Sequence, residues 1–258
     1  MLRIVRLCLV AVLAVFLLGA VIARAAEVPQ TVSQKVAGME RKDGLFPLDW
    51  DAKAGKLYLE ILKLDEDFLL LDQLPYGLGS NDIGLDRGQL GRERVVHFSR
   101  VGGKVLLVEP NLMYRSSAAA EEERMAVKQS FAESVLWGFP VEAEENGRLL
   151  VDATAFFLRD AHGVAEQLQR TGQGSYKIDQ SRSALALDNT KDFPKNTEVE
   201  AELTFTTDSA PRGEFVAEVT PDPHAITVRE HTSLIELPGP GYTPRRYDVR
   251  SGYFPVNY

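Results

Sequence analysis

The stretch of this 258-residue chain best suited to chemistry is "YGLGSNDIGLDRGQ", residues 76–89. Four glycines and several acid or amide side chains follow the apolar run Phe68 to Leu71 there. A glycine-rich loop after a strand can hold a phosphate on its backbone amides. The P-loop pattern also needs a lysine and a hydroxyl after its second glycine. Gly79 and Gly84 have the glycine spacing, but Leu85 and Asp86 stand where those two residues belong. The dinucleotide pattern G-x-G-x-x-G begins at Gly77 and Gly79 and fails at Asp82. Asp82 and Asp86 would repel a phosphate. Asn81, Asp82 and Asp86 offer oxygens to calcium, yet the alternating ligand spacing of a calcium loop is absent. The expectation is a conformational loop, with glycines supplying positive φ and Asn81 or Asp82 bonding nearby amides.

Other reactive types are equally unassembled. His97, His162, His224 and His231 form no H-E-x-x-H, so no helix presents two imidazoles to zinc with a glutamate between them as base. No serine lies in G-x-S-x-G, the strand-to-helix elbow of covalent hydrolases. The carboxylates come in groups: Asp65, Glu66 and Asp67; Glu142, Glu144 and Glu145; Asp152 with Asp160. Such runs usually form solvated faces. No catalytic, cofactor-binding or metal-ligating residue is assigned within the chain.

The elements around these residues read mostly as strands. Leu57, Leu59 and Ile61 alternate with Tyr58, Glu60 and Leu62, and "DFLLLDQL" is a strand with two apolar faces, more central than edge. "RVVHFSRVGGKVLLVEP" predicts two strands joined at Gly102-Gly103. "RLLVDATAFFL", "EFVAEVTP" and "AITVREHTSLIEL" read as further strands. In "TEVEAELTFTT", Val199, Ala201, Leu203 and Phe205 are expected to face inward and Glu198, Glu200, Glu202 and Thr204 outward. "DAHGVAEQLQR" predicts a short helix. A longer one is expected over residues 117–138, where Val127, Phe131 and Val135 recur at steps of four behind acidic Glu121 to Glu123. The expected class is therefore α+β: mainly antiparallel and β-rich, with one substantial amphipathic helix packed on a sheet and an N-terminal signal helix.

Residues 1–25 carry Arg3 and Arg6, an apolar run from Leu7 to Val21, and the small-x-small pattern Ala23-Arg24-Ala25. That is the layout of a secretory signal peptide, and it places the product in the periplasm, at the cell surface or outside the cell. Its removal leaves the chain three units more negative than the formal −8. An acidic product without a Lys/Arg cluster is a poor partner for nucleic acid, and no membrane association is expected once the signal is cleaved. Cys8, the single cysteine, lies inside the signal, so the mature chain has no disulfide or thiolate chemistry.

The phrases "GLFPLDWDAKAGKLYLEI", "GLGSNDIGLDRGQLGRERVVHFSRVGGKVLL", "SFAESVLWGF", "LLVDATAFFLRDAHGV", "NTKDFPKNTEVEAELTF" and "YDVRSGYF" occur in order along the chain. Together they resemble the N-terminal half of a family of large secreted bacterial zinc-dependent metalloproteases. The resemblance implies a short domain over residues 27–76 and a larger β-rich one over 77–258, both of unknown function. A zincin-type domain with H-E-x-x-H and a further zinc ligand would follow them. No position here matches a zinc ligand or the general base, so zinc is expected only in that downstream domain. The implied function is a non-catalytic accessory or pro-domain-like region, in a truncated or split copy. Its implied partners are the metallopeptidase catalytic domain, in cis or in trans, and a peptide substrate. The alternative is a stand-alone periplasmic or surface module that binds a peptide or glycan, with Tyr242, Tyr247, Tyr253, Phe254 and Tyr258 as candidate lining.

Overall fold

The computed structural model describes residues 30–116, 118–209 and 213–239, together with 241, 243 and 250. The signal segment and the five tail aromatics lie outside the described residues. The described residues from Thr31 onward belong to one compact unit. In chain order its elements are α1 (Val32–Lys35), β1 (Glu40–Lys42), β2 (Leu48–Asp51), β3 (Lys56–Ile61), β4 (Phe68–Leu74), β5 (Gln89–Val101) and β6 (Lys104–Glu109). There follow α2 (Glu121–Ser130), β7 (Ser134–Glu145), β8 (Arg148–Asp152), α3 (Thr154–Phe157), α4 (Val164–Arg170) and β9 (Lys177–Ile178). A 3₁₀ turn (Gln180–Arg182), β10 (Ala184–Leu185), β11 (Lys191–Phe193), β12 (Asn196–Thr206), α5 (Glu214–Val219) and β13 (Ala225–Glu236) complete it. Among the described residues, no helix is long and apolar enough to cross a membrane.

The strands form one antiparallel sheet in the order β1-β2-β3-β8-β7-β6-β5-β4-β13-β12-β10, with β9 and β11 also on β12. Strands from both sides of residue 76 share it, since β3 pairs with β8 and β4 with both β5 and β13. The sheet rolls until its ends meet. Leu45 N–H donates to the Phe193 carbonyl at 2.8 Å, and Phe46 N–H donates to the Thr197 hydroxyl at 3.0 Å. Inside the roll, Phe46, Phe68, Phe98, Phe139 and Phe156 form a chain of rings with centroids 4.9 to 6.2 Å apart. Each such pair adds about 0.5–1.5 kcal/mol beyond its area burial.

The Gly102-Gly103 hairpin forms as predicted: Gly102 takes φ +59°, and Val101 pairs with Lys104. β4 is central, as its two apolar faces imply, and Val199, Ala201, Leu203 and Phe205 are all buried.

The long helix expected over 117–138 is a correction. Only Glu121–Ser130 is helical, and it buries no residue against the sheet. Val135, Leu136, Trp137 and Phe139 belong to β7, which pairs first with β6 and then with β8. The four-residue stripe of Val127, Phe131 and Val135 thus straddles a helix and a strand. Two ready partner strands outweigh an uncapped helix end, and β-branched and aromatic side chains suit the pleat. Pro140, just beyond the expected helix, sits where β7 changes partner, a place where a missing N–H costs little. "EFVAEVTP" is likewise helical over Glu214–Val219, with Val216 buried and its N–H donating to Gln173 Oε1.

Candidate functional site

The glycine loop between β4 and β5 is a plug. Leu78, Ile83 and Leu85 are buried in an apolar cluster with Val164, Leu168, Leu203 and Phe205. The loop bonds to itself, with the Leu78 N–H on the Leu85 carbonyl at 2.9 Å and the Gly84 N–H on the Asn81 carbonyl at 3.0 Å. A Cβ on Gly77 would meet the Arg87 nitrogen at 2.7 Å, so that close approach requires glycine. Asn81, Asp82 and Asp86 are exposed and separate.

Most of the carboxylates named from sequence are ion-paired or act as caps. Glu66 pairs with Lys63, Glu142 with Lys35, Glu144 with Arg100, Glu145 with Arg148 and Asp152 with Lys56. Asp160 accepts from the N–H groups of Gly163, Val164 and Ala165 and so caps α4. His97 faces Asp67 at 3.1 Å, and exposed His224 faces Asp222 at 3.2 Å. The four histidines do not converge. Among the described residues, no group of three His, Cys, Asp or Glu side chains is placed to hold a metal ion.

Two polar constellations form that motif searches missed. The first is a ladder on the outer face of β12 and β13. Glu198 lies opposite Ser233, Glu200 opposite His231 and Glu202 opposite Arg229. His231 Nε2 lies 2.7 Å from Glu198 and Nδ1 lies 3.4 Å from Glu200. Burial alone would lower the His231 pKa, but its bonds to Glu198 and Glu200 outweigh that and raise it. For Glu198, burial pushes up, while bonds from His231, Ser233 and Asn196 bring the carboxyl below its ordinary value. Both shifts favour an imidazolium facing a carboxylate. Ser233 donates to Glu198 at 2.5 Å, so serine and histidine share one acceptor and lack the bond that activates a nucleophile. Beside the ladder a cleft of about 340 Å³ is lined by Tyr76, Arg87, Asn189, Lys191, Glu198, Glu200 and His231. Tyr76 is 54% exposed there, and the Arg229 guanidinium lies 5.1 Å from its ring centre.

The second constellation is inside the roll. Along β4 the inward positions run Phe68, Leu70, Asp72, Leu74; along β13 they run Val228, Glu230, Thr232, Leu234. Phe68, Leu70 and Leu234 belong to one apolar cluster, Leu74 and Val228 to another, and the polar residues lie between. Thr232 donates to Asp72 at 2.9 Å, and Arg159 approaches Asp72 at 4.0 Å while stacking on Phe156 at 3.8 Å. Glu230 Oε2 accepts from the Ala161 and His162 N–H groups at 2.8 and 3.1 Å. Burial, and then neighbouring Asp160, push the Glu230 pKa well above its ordinary value, a direction that favours the neutral carboxyl. Asp72 and Glu230 are each only 3% exposed, which closes the layer to a substrate. The i, i+2 spacing of Arg229, His231 and Ser233 could have revealed the ladder. The layer left no signal, because Asp72 and Glu230 simply interrupt apolar alternation.

The most exposed apolar surface lies on residues 110–133, the excursion between β6 and β7. Met113 is 75% exposed; Tyr114, Met125 and Phe131 are exposed too, and Val135 follows at the start of β7. The Tyr114 and Phe131 rings stack at 3.9 Å.

A rolled antiparallel sheet whose polar groups mostly satisfy one another, with an apolar excursion on its outside, defines a β-rich module with its most prominent free surface on one side. Residues 88–258 match the family described as "Domain of unknown function (DUF5117)", and the chain belongs to that family. The matched part starts at the head of β5. No curated protein and no solved structure matches the chain.

Proposed function

We propose that this chain is a non-catalytic accessory region of an exported zinc-dependent metallopeptidase, docking on the catalytic domain in cis or in trans. The observation that carries the reading is the apolar surface of the excursion. α2 buries nothing on its own sheet, while Met113, Tyr114, Met125, Phe131 and Val135 stay exposed. Contiguous exposed apolar surface of this kind marks a protein contact. The identity of the partner rests on the sequence resemblance. Zinc chemistry is assigned to that partner on the same resemblance. The test is co-expression of the full chain with the H-E-x-x-H domain encoded beside it. A one-to-one complex should form, and the double variant Met125→Glu/Phe131→Ser should weaken it at least tenfold while folding normally. Absence of such a coding sequence nearby, or equal binding by the variant, rejects the reading.

A second reading is a stand-alone module that binds a glycan or peptide. It is favoured by the Tyr76 cleft, where an exposed ring stands among the carboxylates, amide and cations of Glu198, Glu200, Asn189, Arg87 and Lys191. Tyr76→Ala should then abolish binding on a glycan or peptide array; an array with no saturable ligand removes this reading.

A further inference from the structure

We infer that the outer edge of β5 is a docking site for an extended peptide carrying a carboxylate, which adds to the sheet as a further strand. β5 is long, and its two edges are used unequally. On one side it pairs with β4 from Gln89 to Val96. On the other, β6 pairs only with His97 to Val101, and the chain then leaves through Pro110. Among the described residues, nothing pairs with the β6 side of β5 between Gly91 and Val95.

Which groups face that side follows from the hairpin. The two-residue turn at Gly102-Gly103 makes Val101 and Lys104 a hydrogen-bonded pair, so Val101, Ser99 and His97 aim their backbone at β6. The same alternation aims the N–H and C=O of Val95 and Glu93 at the open edge. A groove of about 540 Å³ runs beside them, walled by Gly91 to Val95 on one side and by Glu109, Pro110, Asn111, Leu112, Met113, Ala132 and Ser134 on the other. Among the described residues, no side chain fills it. Five strand residues give it a length of about 17 Å.

Only another main chain offers donors and acceptors at the repeat that Glu93 and Val95 present, which selects an extended peptide. Charge selects its side chain. Arg92 lies 2.8 Å and Arg94 3.7 Å from the single carboxylate of Glu109, and the buried Nε of Arg94 has no hydrogen-bond partner. Two guanidiniums share one acid, and a guest carboxylate balances the second. Met113 and Leu112 supply an apolar wall for a neighbouring guest residue. The inference does not depend on the identity of any peptidase partner.

The test uses the full chain and a pool of fluorescein-labelled, capped heptapeptides of alternating threonine and valine, with glutamate or lysine at the centre. Saturable binding is expected, tighter by several fold for glutamate, with amide hydrogen exchange slowed at Glu93 and Val95. Glu93→Pro removes the edge donor without touching a bond to β4 and should weaken binding at least tenfold. Glu93→Ala removes only the side chain and should bind within twofold of the parent. No saturable binding by about 1 mM peptide, equal binding by the proline and alanine variants, or binding that leaves the Glu93 and Val95 amides exchanging as before would each overturn the inference.

Discussion

Gly44→Ala challenges the closure of the roll directly. A Cβ at position 44 would lie 2.3 Å from Asp192 Cγ and 2.5 Å from the Phe193 backbone nitrogen. The carboxylate cannot swing aside without losing the Thr197 hydroxyl, which donates to it at 2.6 Å, and the nitrogen is fixed in β11. Ordinary contact begins at 3.4 Å, so the seam must open by about 0.9 Å. The Leu45 N–H bond to the Phe193 carbonyl, now 2.8 Å, would then be stretched beyond useful reach. Losing that bond costs about 1 kcal/mol, and leaving its two groups unpaired in a half-buried seam about 1–3 kcal/mol more. Residual overpacking adds about 1–3 kcal/mol, while the stiffer unfolded chain of alanine returns less than about 1 kcal/mol. The net expectation is a loss of about 2–7 kcal/mol by this reckoning. For a unit of this size each kcal/mol lowers the melting midpoint by about 2–4 °C, so calorimetry should show a fall of roughly 4–28 °C. A midpoint within about 2 °C of the parent would refute the seam as the point of closure.

Three further outcomes follow from charges within the fold. Burial raises the Asp192 pKa to about 6 against 3.8 for the free group. Its contribution to stability is therefore full below 3.8 and lost as the pH rises through about 6. Urea titrations at low and neutral pH should show a loss of about 1–2 kcal/mol after allowance for partial exposure, and Asp192→Asn should abolish that slope; an unchanged slope contradicts the assignment. Burial favours the neutral form of Glu230, so Glu230→Gln should keep the bonds from Ala161 and His162 and change the thermal stability at pH 6 by less than about 1 kcal/mol. A loss above about 3 kcal/mol would mean the group is charged in the fold. The raised His231 pKa makes its pairing fully stabilising below the free imidazole value and lost as the pH rises through the folded value. His231→Gln should flatten stability between about pH 6 and 8, and an NMR titration placing His231 below an ordinary imidazole would oppose this.

Strand identity was legible where one face is apolar and the turn chemistry is explicit. β12 announces itself through Val199, Ala201, Leu203 and Phe205, and the β5–β6 hairpin through Gly102-Gly103. The reading broke down where pairing overrides local pattern. Val135 to Phe139 fit a helical stripe as well as a pleat, and only β6, on the far side of the excursion, decides between them. Glu214 to Val219 offers one turn of helix or a short strand, and the buried side chain of Gln173 settles it by accepting from Val216. The glycine loop was correctly legible as conformational. That Ile83 and Leu85 insert into a core built from β12 and α4 depends on how the roll brings those elements together.

The interior and the excursion make one economic contrast in how the chain uses its residues. The two larger apolar clusters are completed by segments remote in sequence, Phe46 in one and Leu78, Ile83 and Leu85 in the other. Even the loop richest in glycine is recruited into packing. Residues 110–133 are the exception, for among the described ones none is buried. Ordering a backbone residue costs about 1–2 kcal/mol, and neither cluster offsets that cost here. Ser116 holds Glu123 at 3.2 Å, Arg124 binds the Ala118 and Ala119 carbonyls, and Tyr114 stacks on Phe131. These local contacts shape the excursion without joining it to the core. The proposed docking would supply a segment so shaped, standing beside an unpaired length of β5, with its remaining stabilisation. For that reason substitutions at Phe131 and Glu93 should separate binding from folding, whereas those at Gly44 cannot.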